Sequence, residues 1–298
     1  MSYKIYDCFT YFDEKILLNF RLNYLSNYVD KFVISEANYT HSGSSKKLNF
    51  NINDYPKFKN KIIYIPVTKK PEGLHKVNLK KNTNEINSKI IFNGYLRENF
   101  QRNQLQNGLT DAGPNDWIII SDLDEIPNLE EINLNKVKKK IVIFEQKFLF
   151  YKFNLFYKNR IWYGSKACKK NFLLSPQWLR NVKSRKYSIF RPDIFFSNKK
   201  YNSIYFIKNG GWHFTNLKTS KQIYYKFSNY LHHREFEHSN LGIKDINKMI
   251  KNKISIYNHE VDKSNSKFDG RIELSRLPNK FLPRFLLKNL NSYKKWLV

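Results

Sequence analysis

Residues 116–128, DWIIISDLDEIPN, pass from four consecutive apolar positions, Trp117 to Ile120, into the polar turn Ser121-Asp122-Leu123-Asp124-Glu125, which Pro127 closes. The apolar run is too short for a buried helix and has no wet face, so it reads as a strand covered on both sides. Strands of that kind belong to parallel sheets with helices on their faces. The flanking sequence agrees. Residues 3–12, 31–37 (KFVISEA) and 61–67 (KIIYIPV) read as further strands. Helical spacing follows Asp13, an expected N-cap, with Leu17, Phe20, Tyr24 and Tyr28 on one face. A long helical pattern fills 84–109 and is stopped by Gly113-Pro114. The expectation is an α/β fold with a mainly parallel, Rossmann-like sheet flanked by helices.

Beyond Pro127 the pattern changes. Residues 141–153, 186–196 and 201–207 read as longer aromatic strands, with helices expected over 219–232 and 241–252. No Gly-, Pro- or Ser-rich linker separates the two parts, so they read as lobes of one domain spanning 1–298.

In an open parallel sheet, ligands bind at the carboxyl ends of the strands, where Asp122 and Asp124 are expected. Two carboxylates at i and i+2 on a turn, with Leu123 turned back into the core, converge on one hard cation. Mg²⁺ and Mn²⁺ take oxygen ligands of this type and keep positions for water and phosphate oxygens. An acidic turn that merely caps the next element is the competing reading. A second candidate is GGWHFTNL (210–217), where paired glycines allow close backbone approach to a ligand and His213 is placed to bind a metal or a diphosphate oxygen. A core histidine with a satisfied hydrogen bond competes with it. His41, His75, His232, His233, His238 and His259 show no i, i+4 metal pairing and read as surface residues.

Composition narrows the class. The 298 residues are 41% hydrophobic and 16% aromatic, enough for a sizeable core. Fifty-three Lys and Arg against 25 Asp and Glu leave a formal charge of +28. Much of that fits a chain rich in Lys, Asn and Ile, but the distribution is uneven. Ten basic residues and no acidic one lie between Tyr157 and Arg191, and seven accompany only Glu273 between Arg271 and Val298. An anionic partner is implied: a nucleotide diphosphate, a nucleic acid or a membrane surface. Cys8 and Cys168 form neither a metal spacing nor a disulfide framework. No signal core or span of ~18 apolar residues is present. The tail 281–298 reads as an amphipathic basic helix, its apolar stripe either docked on the catalytic core or laid on an anionic membrane surface.

Four segments, in order, carry a resemblance: YDCFTYFDEKILLNFRLNYLSNYVDKFVISEANYTHSG, ENFQRNQLQNGL with DWIIISDLDEIP, NGGWHFTNL, and LPRFLLKNLNSYKKWL. Together they resemble the β-1,4-mannosyl-glycoprotein 4-β-N-acetylglucosaminyltransferases, the bisecting N-acetylglucosaminyltransferase III family, across nearly the whole chain. The resemblance implies a GT-A fold, a UDP-sugar donor (UDP-GlcNAc), a divalent Mn²⁺ or Mg²⁺ ion, a glycan acceptor and inversion at the anomeric carbon. It divides the chain into a nucleotide-sugar half (1–127), an acceptor lobe (128–270) and a basic tail (271–298). Residue by residue, Asp122 and Asp124 become the metal and diphosphate motif, with His213 as a further metal or diphosphate ligand. Glu36 becomes a donor-pocket residue. Arg102 faces the diphosphate or pairs with Glu98 one turn earlier. The general base is sought among Glu125, Glu145 and Asp269, with Asp193 a further candidate, and Trp162, Tyr163 and Trp178 are candidates for an acceptor platform.

The eukaryotic members carry an N-terminal membrane helix, whereas this sequence starts at the catalytic region. A bacterial or viral glycan, lipid-linked forms included, is therefore the expected acceptor, and the cytoplasm or the inner membrane surface the expected location. A haloacid-dehalogenase-like phosphatase also places Asp-x-Asp after an apolar strand, but no later Asp-Asp pair follows. The high charge admits a nucleic-acid-binding protein, but no helix-turn-helix, zinc or RNA-recognition signature supports one, and no nucleic acid is expected as a partner.

Overall fold

The computed structural model describes residues 3–78, 82–188, 190–231, 233–260, 266–268 and 271–298. The first half contains β1 (Ile5–Thr10), α1 (Lys15–Leu25), β2 (Lys31–Ala37), β3 (Ile62–Val67), α2 (Thr83–Asn103), β4 (Trp117–Asp122) and β5 (Glu125–Pro127). Next come β6 (Ile141–Phe150), β7 (Leu155–Trp162), β8 (Lys166–Lys169), α3 (Pro176–Asn181) and β9 (Ile204–Thr215). The chain continues through α4 (Ser220–Asn229), α5 (His233–His238), α6 (Ile243–Lys251) and β10 (Ser275–Arg276), and ends with α7 (Arg284–Lys288) and α8 (Leu290–Tyr293).

These strands make one sheet in the order β10-β7-β6-β8-β4-β1-β2-β3, with β9 pairing both β6 and β5. The half built from β1 to β4 is parallel, as expected. The other half is not. β8 runs antiparallel to both β4 and β6, β7 to β6, β10 to β7 and β5 to β9, so the sheet is mixed. Of the second-half pairs only β6–β9 is parallel. Short turns suffice for antiparallel neighbours. β7 (LFYKNRIW) and β8 (KACK) are too basic and too short to announce themselves as strands.

Alternation explains the double burial of the central strands. On β4, Ile118 and Ile120 face one core with Tyr6, Cys8, Val33, Leu105 and Leu179. Trp117 and Ile119 face the other, with Phe9, Phe20, Phe32 and Phe214. A third core, around Phe148, Phe150, Tyr157, Phe227 and Ile246, holds α4 to α6 against β6 and β7.

Three expectations change. Residues 186–196 contain no strand among the described positions. Pro192, which lacks an N–H for a ladder, instead opens a single 3₁₀ turn, Pro192–Ile194. The long helix ends at Asn103 and continues as a 3₁₀ segment, Gln104–Leu109. Asp13 is not the cap of α1: Glu14 holds that position without a side-chain cap, and Asp13 pairs with Lys218.

The tail is likewise no continuous surface helix. α7 and α8 are short, and Leu282, Leu286 and Tyr293 are buried in the same core as Phe20 and Phe214. Hydrogen bonds fasten its end, from Phe153 N to Trp296 O at 2.9 Å and from Val298 N to Asn154 Oδ1 at 2.9 Å. Among the described residues no helix is long and apolar enough to cross a membrane.

Candidate active site

Asp122 ends β4 and Asp124 sits in the turn before β5, at the carboxyl edge of the parallel strands. The turn is anchored from below. Arg21, on α1, meets Asp7 of β1 through two bonds, Nε to Oδ2 at 2.8 Å and Nη2 to Oδ1 at 2.6 Å, with neither side chain exposed. Its remaining nitrogen, Nη1, donates to the carbonyls of Asp122 (3.0 Å), Leu123 (3.1 Å) and Glu125 (2.8 Å). Nothing in the local sequence announces these contacts, which reach 101 to 104 residues along the chain.

Two more arginines clamp Asp122. Arg102, on α2, donates to Oδ1 at 2.8 Å, and Arg180, on α3, to Oδ2 at 3.0 Å. Arg102 also pairs with Glu98 at 2.8 Å, the ion pair one turn earlier that its spacing offers. Burial pushes the Asp122 carboxyl up, but Arg180 and Arg102 outweigh it and hold the group well below the usual carboxylate range. Asp124 is different. His213 Nε2 lies 3.4 Å from its Oδ1 and Lys226 Nζ 3.6 Å from its Oδ2. Burial again raises this carboxyl, and His213 and Lys226 outweigh that and lower it. Both aspartates are therefore ionised at neutral pH.

Above this edge opens a cavity of about 440 Å³. Its polar end holds Glu98, Arg102, Asp122, Asp124, His213 and Lys226, joined by Glu14 and His41. The rest of its lining includes an aromatic wall, formed by Phe148, Trp162, Phe227, Tyr230, Tyr257 and His259, that starts beside His213. The His213 ring packs with Phe148, stacked at 4.9 Å, and with Trp162 at 4.5 Å, and those two rings stack on each other at 5.1 Å. His41 and His259, expected at the surface, are cavity residues, and His233 is buried. Burial pushes His41 below its ordinary value; burial, with Arg160 and Lys267 nearby, pulls His259 down to about 3. Both rings are therefore neutral at physiological pH. His232 lies outside the described residues.

Not every sequence candidate reaches the cavity. Glu125 is fully buried beneath it. Its Oε2 accepts from the Asp122 N–H (2.8 Å) and Arg180 (2.7 Å), and its Oε1 from Trp162 Nε1 (2.7 Å) and Arg180 (3.1 Å). With both oxygens engaged it positions Arg180 and Trp162. Glu36 accepts from Lys46 (2.5 Å), the N–H groups of Asn49 and Phe50, and Tyr64, fastening the loop after β2. Glu145 is on β6, away from the cavity lining, and Asp193 pairs with Arg191 and Lys200 in a surface loop. Asp269 lies outside the described residues. Of the three platform aromatics only Trp162 lines the cavity; Trp178 packs in the second core.

The paired glycines serve the sheet. Gly211 has φ +138°, and a Cβ there would lie 2.1 Å from Ile126 O on β5. β9 thus approaches β5 more closely than any side chain permits, and this brings His213 opposite Glu125 in register.

A divalent ion fits this edge in a restricted way. Among the described residues no three His, Cys, Asp or Glu side chains form a ready-made metal cage. Asp124 and His213, however, present an oxygen and a nitrogen 3.4 Å apart on one side of the cavity, and His213 Nδ1 is buried without a partner. An ion of the Mg²⁺ or Mn²⁺ type needs only one or two protein ligands when phosphate oxygens and water supply the rest. Asp122, with both oxygens held by guanidinium groups, suits the ion less well than Asp124.

A helix-flanked sheet with carboxylates, guanidinium groups and an aromatic wall at its strand ends suits an enzyme acting on a phosphorylated, ring-bearing substrate. The sequence profile of glycosyltransferase family 17 matches residues 1–298, and the chain belongs to that family. Among curated proteins none matches the chain. The protein is a glycosyltransferase, and its family implies a sugar-nucleotide donor and a glycan acceptor.

Proposed function

We propose that this glycosyltransferase has the GT-A architecture and transfers N-acetylglucosamine from UDP-N-acetylglucosamine, with inversion and a divalent ion, to a hydroxyl of a glycan acceptor. The observation carrying the proposal is the cavity itself, where Asp124 and His213 face Arg102 and Lys226 at the carboxyl ends of the parallel strands. The donor identity rests on the sequence resemblance of the four segments given above. In this reading residues 1–127 hold the donor, and the acceptor approaches along the aromatic wall from the second lobe. Asp124 and His213 hold the ion, which when bound supplies charge stabilisation at the diphosphate.

The chain's own groups complete the chemistry. Arg102 and Lys226 draw the diphosphate into the cavity and offset the charge that builds as the C1–oxygen bond breaks. The acceptor oxygen forms the new bond to C1 from the opposite face, UDP leaves, and the hydroxyl proton passes to a carboxylate. Glu14 is the carboxylate we assign to that role. It lines the cavity from the N-cap of α1, and its nearest cation, Lys218, stands 3.5 Å away. Burial raises its carboxyl, but Lys218 and Lys226 prevail and lower it, so it is ionised and able to accept a proton. A melting-temperature screen tests the donor: UDP-N-acetylglucosamine with Mn²⁺ stabilises the fold, whereas GDP- and CMP-sugars do not. Stabilisation by a GDP-sugar alone overturns the donor assignment, and retained anomeric configuration in the product overturns inversion.

A further inference from the structure

Residues 183–200 leave the body of the protein between α3 and β9 as a closed excursion. Its neck is tied by the Lys183 N–H to Lys199 O bond at 2.8 Å, and its return limb by Trp178 Nε1 to Asn198 O at 2.6 Å. Inside it, Asp193 joins Arg191 and Lys200 at 2.9 and 2.6 Å. A loop braced in this way would ordinarily turn its rings inward. Here Phe190, Phe195 and Phe196 are 88%, 77% and 92% exposed. Around them stand six basic residues and one acidic residue, and Lys183, Arg185, Lys186 and Lys199 have no carboxylate partner among the described residues.

We infer that this loop is a docking surface for an anionic lipid membrane. Three bare phenyl rings in water are unfavourable by their full apolar area, and an interface that accepts rings at headgroup depth removes that cost. Unpaired cations beside the rings match a negatively charged surface, which attracts Lys and Arg through a field that salt screens. The basic tail, the other candidate, is docked on the core through Leu286 and Tyr293. The loop also begins next to the active site. Arg180, two residues before the last carbonyl capped by Lys166 Nζ (Val182 O, 2.5 Å), is the residue that grips Asp122 and Glu125. Docking here would hold the enzyme against a surface from which a lipid-linked or membrane-borne glycan projects. The inference does not depend on the donor or metal assignments.

Flotation with vesicles tests it, using phosphatidylcholine alone and phosphatidylcholine mixed with phosphatidylglycerol. The full-length protein is expected to bind the anionic vesicles and to lose that binding as NaCl rises. The double variants F195S/F196S and R185E/K186E should each lower the bound fraction at least tenfold. Because all four side chains are exposed, melting temperature and transfer to a soluble acceptor should remain those of the unaltered protein. Unchanged binding by both variants overturns the inference, as does equal binding to neutral and anionic vesicles, or none to either. So does concentration-dependent self-association abolished by F195S/F196S without vesicle binding, which makes the face a contact between copies.

Discussion

Arg21 and Asp7 form a two-bond ion pair with no solvent access to either side chain, and that pair underlies the turn bearing Asp122 and Asp124. Removing one partner leaves a buried charge unmatched. Asp7→Asn is expected to lower folding stability by about 3–5 kcal/mol in urea titrations. The paired replacement Asp7→Leu with Arg21→Met should recover much of that stability while leaving transfer impaired, because three carbonyls of the turn lose their common donor. Full activity in a stable double variant would show that the pair supports the fold alone.

The two aspartates should fail differently. Asp124→Asn removes a proposed ion ligand, so the apparent Mn²⁺ requirement should rise and turnover fall by at least about 10²-fold, as for loss of a strong electrostatic contact. Asp122→Asn leaves Arg102 and Arg180 facing each other without their shared counter-charge, and should cost melting temperature as well as rate. Normal turnover by Asp124→Asn in chelator-treated buffer removes the metal from the mechanism.

Glu14→Gln should slow transfer with little change in donor KM, because the donor diphosphate does not use that carboxylate. The acid limb of the rate profile should disappear with it. A variant that keeps both rate and profile excludes Glu14 as the proton acceptor.

His259 sets a direction for acid stability. Its folded pKa of about 3 lies below the ordinary histidine value of 6.5. The unfolded chain therefore binds a proton that the folded one refuses, and stability, complete above pH 6.5, declines as pH falls toward 3. His41, also lowered, acts in the same sense. His259→Phe should show a smaller loss of stability between pH 7 and pH 5 than the unaltered protein, measured by urea unfolding at each pH. An equal or steeper loss contradicts neutral burial of the ring.

Deleting residues 284–298 should leave an unfolded or insoluble protein, and Leu286→Ala alone should cost about 2–5 kcal/mol. A folded, active truncated protein would contradict the docking of α7 and α8.

How much of this was legible beforehand depended on range. The apolar run 117–120 and its turn were readable because burial and turn chemistry are local, and β1, β2, β3 and β4 fall where their patterns place them. Asp122, Asp124, Arg102 and His213 were nominated by motif or resemblance, and the structure gathers all four at one cavity. Arg180 was not nominated, because it sits 58 residues from Asp122 in a run whose many cations hid the one that mattered. Glu125 is suggested by its place beside the metal motif and Glu36 by the resemblance, and sequence gives no sign of the internal donors that engage the oxygens of both. His41 and His259 read as surface residues in the sequence because no spacing rule reports which loops fold over a cavity.

The three carbonyls turned toward Arg21 have an opposite side. In planar trans peptides each carbonyl opposes the N–H of the next residue, and no peptide bond among the described residues is cis. The N–H groups of Leu123 and Asp124 therefore point away from the guanidinium that holds Asp122 O and Leu123 O. One buried cation thus polarises the turn: oxygens below, hydrogens above. A segment known by its two negative side chains offers, through its backbone, a positive dipolar face.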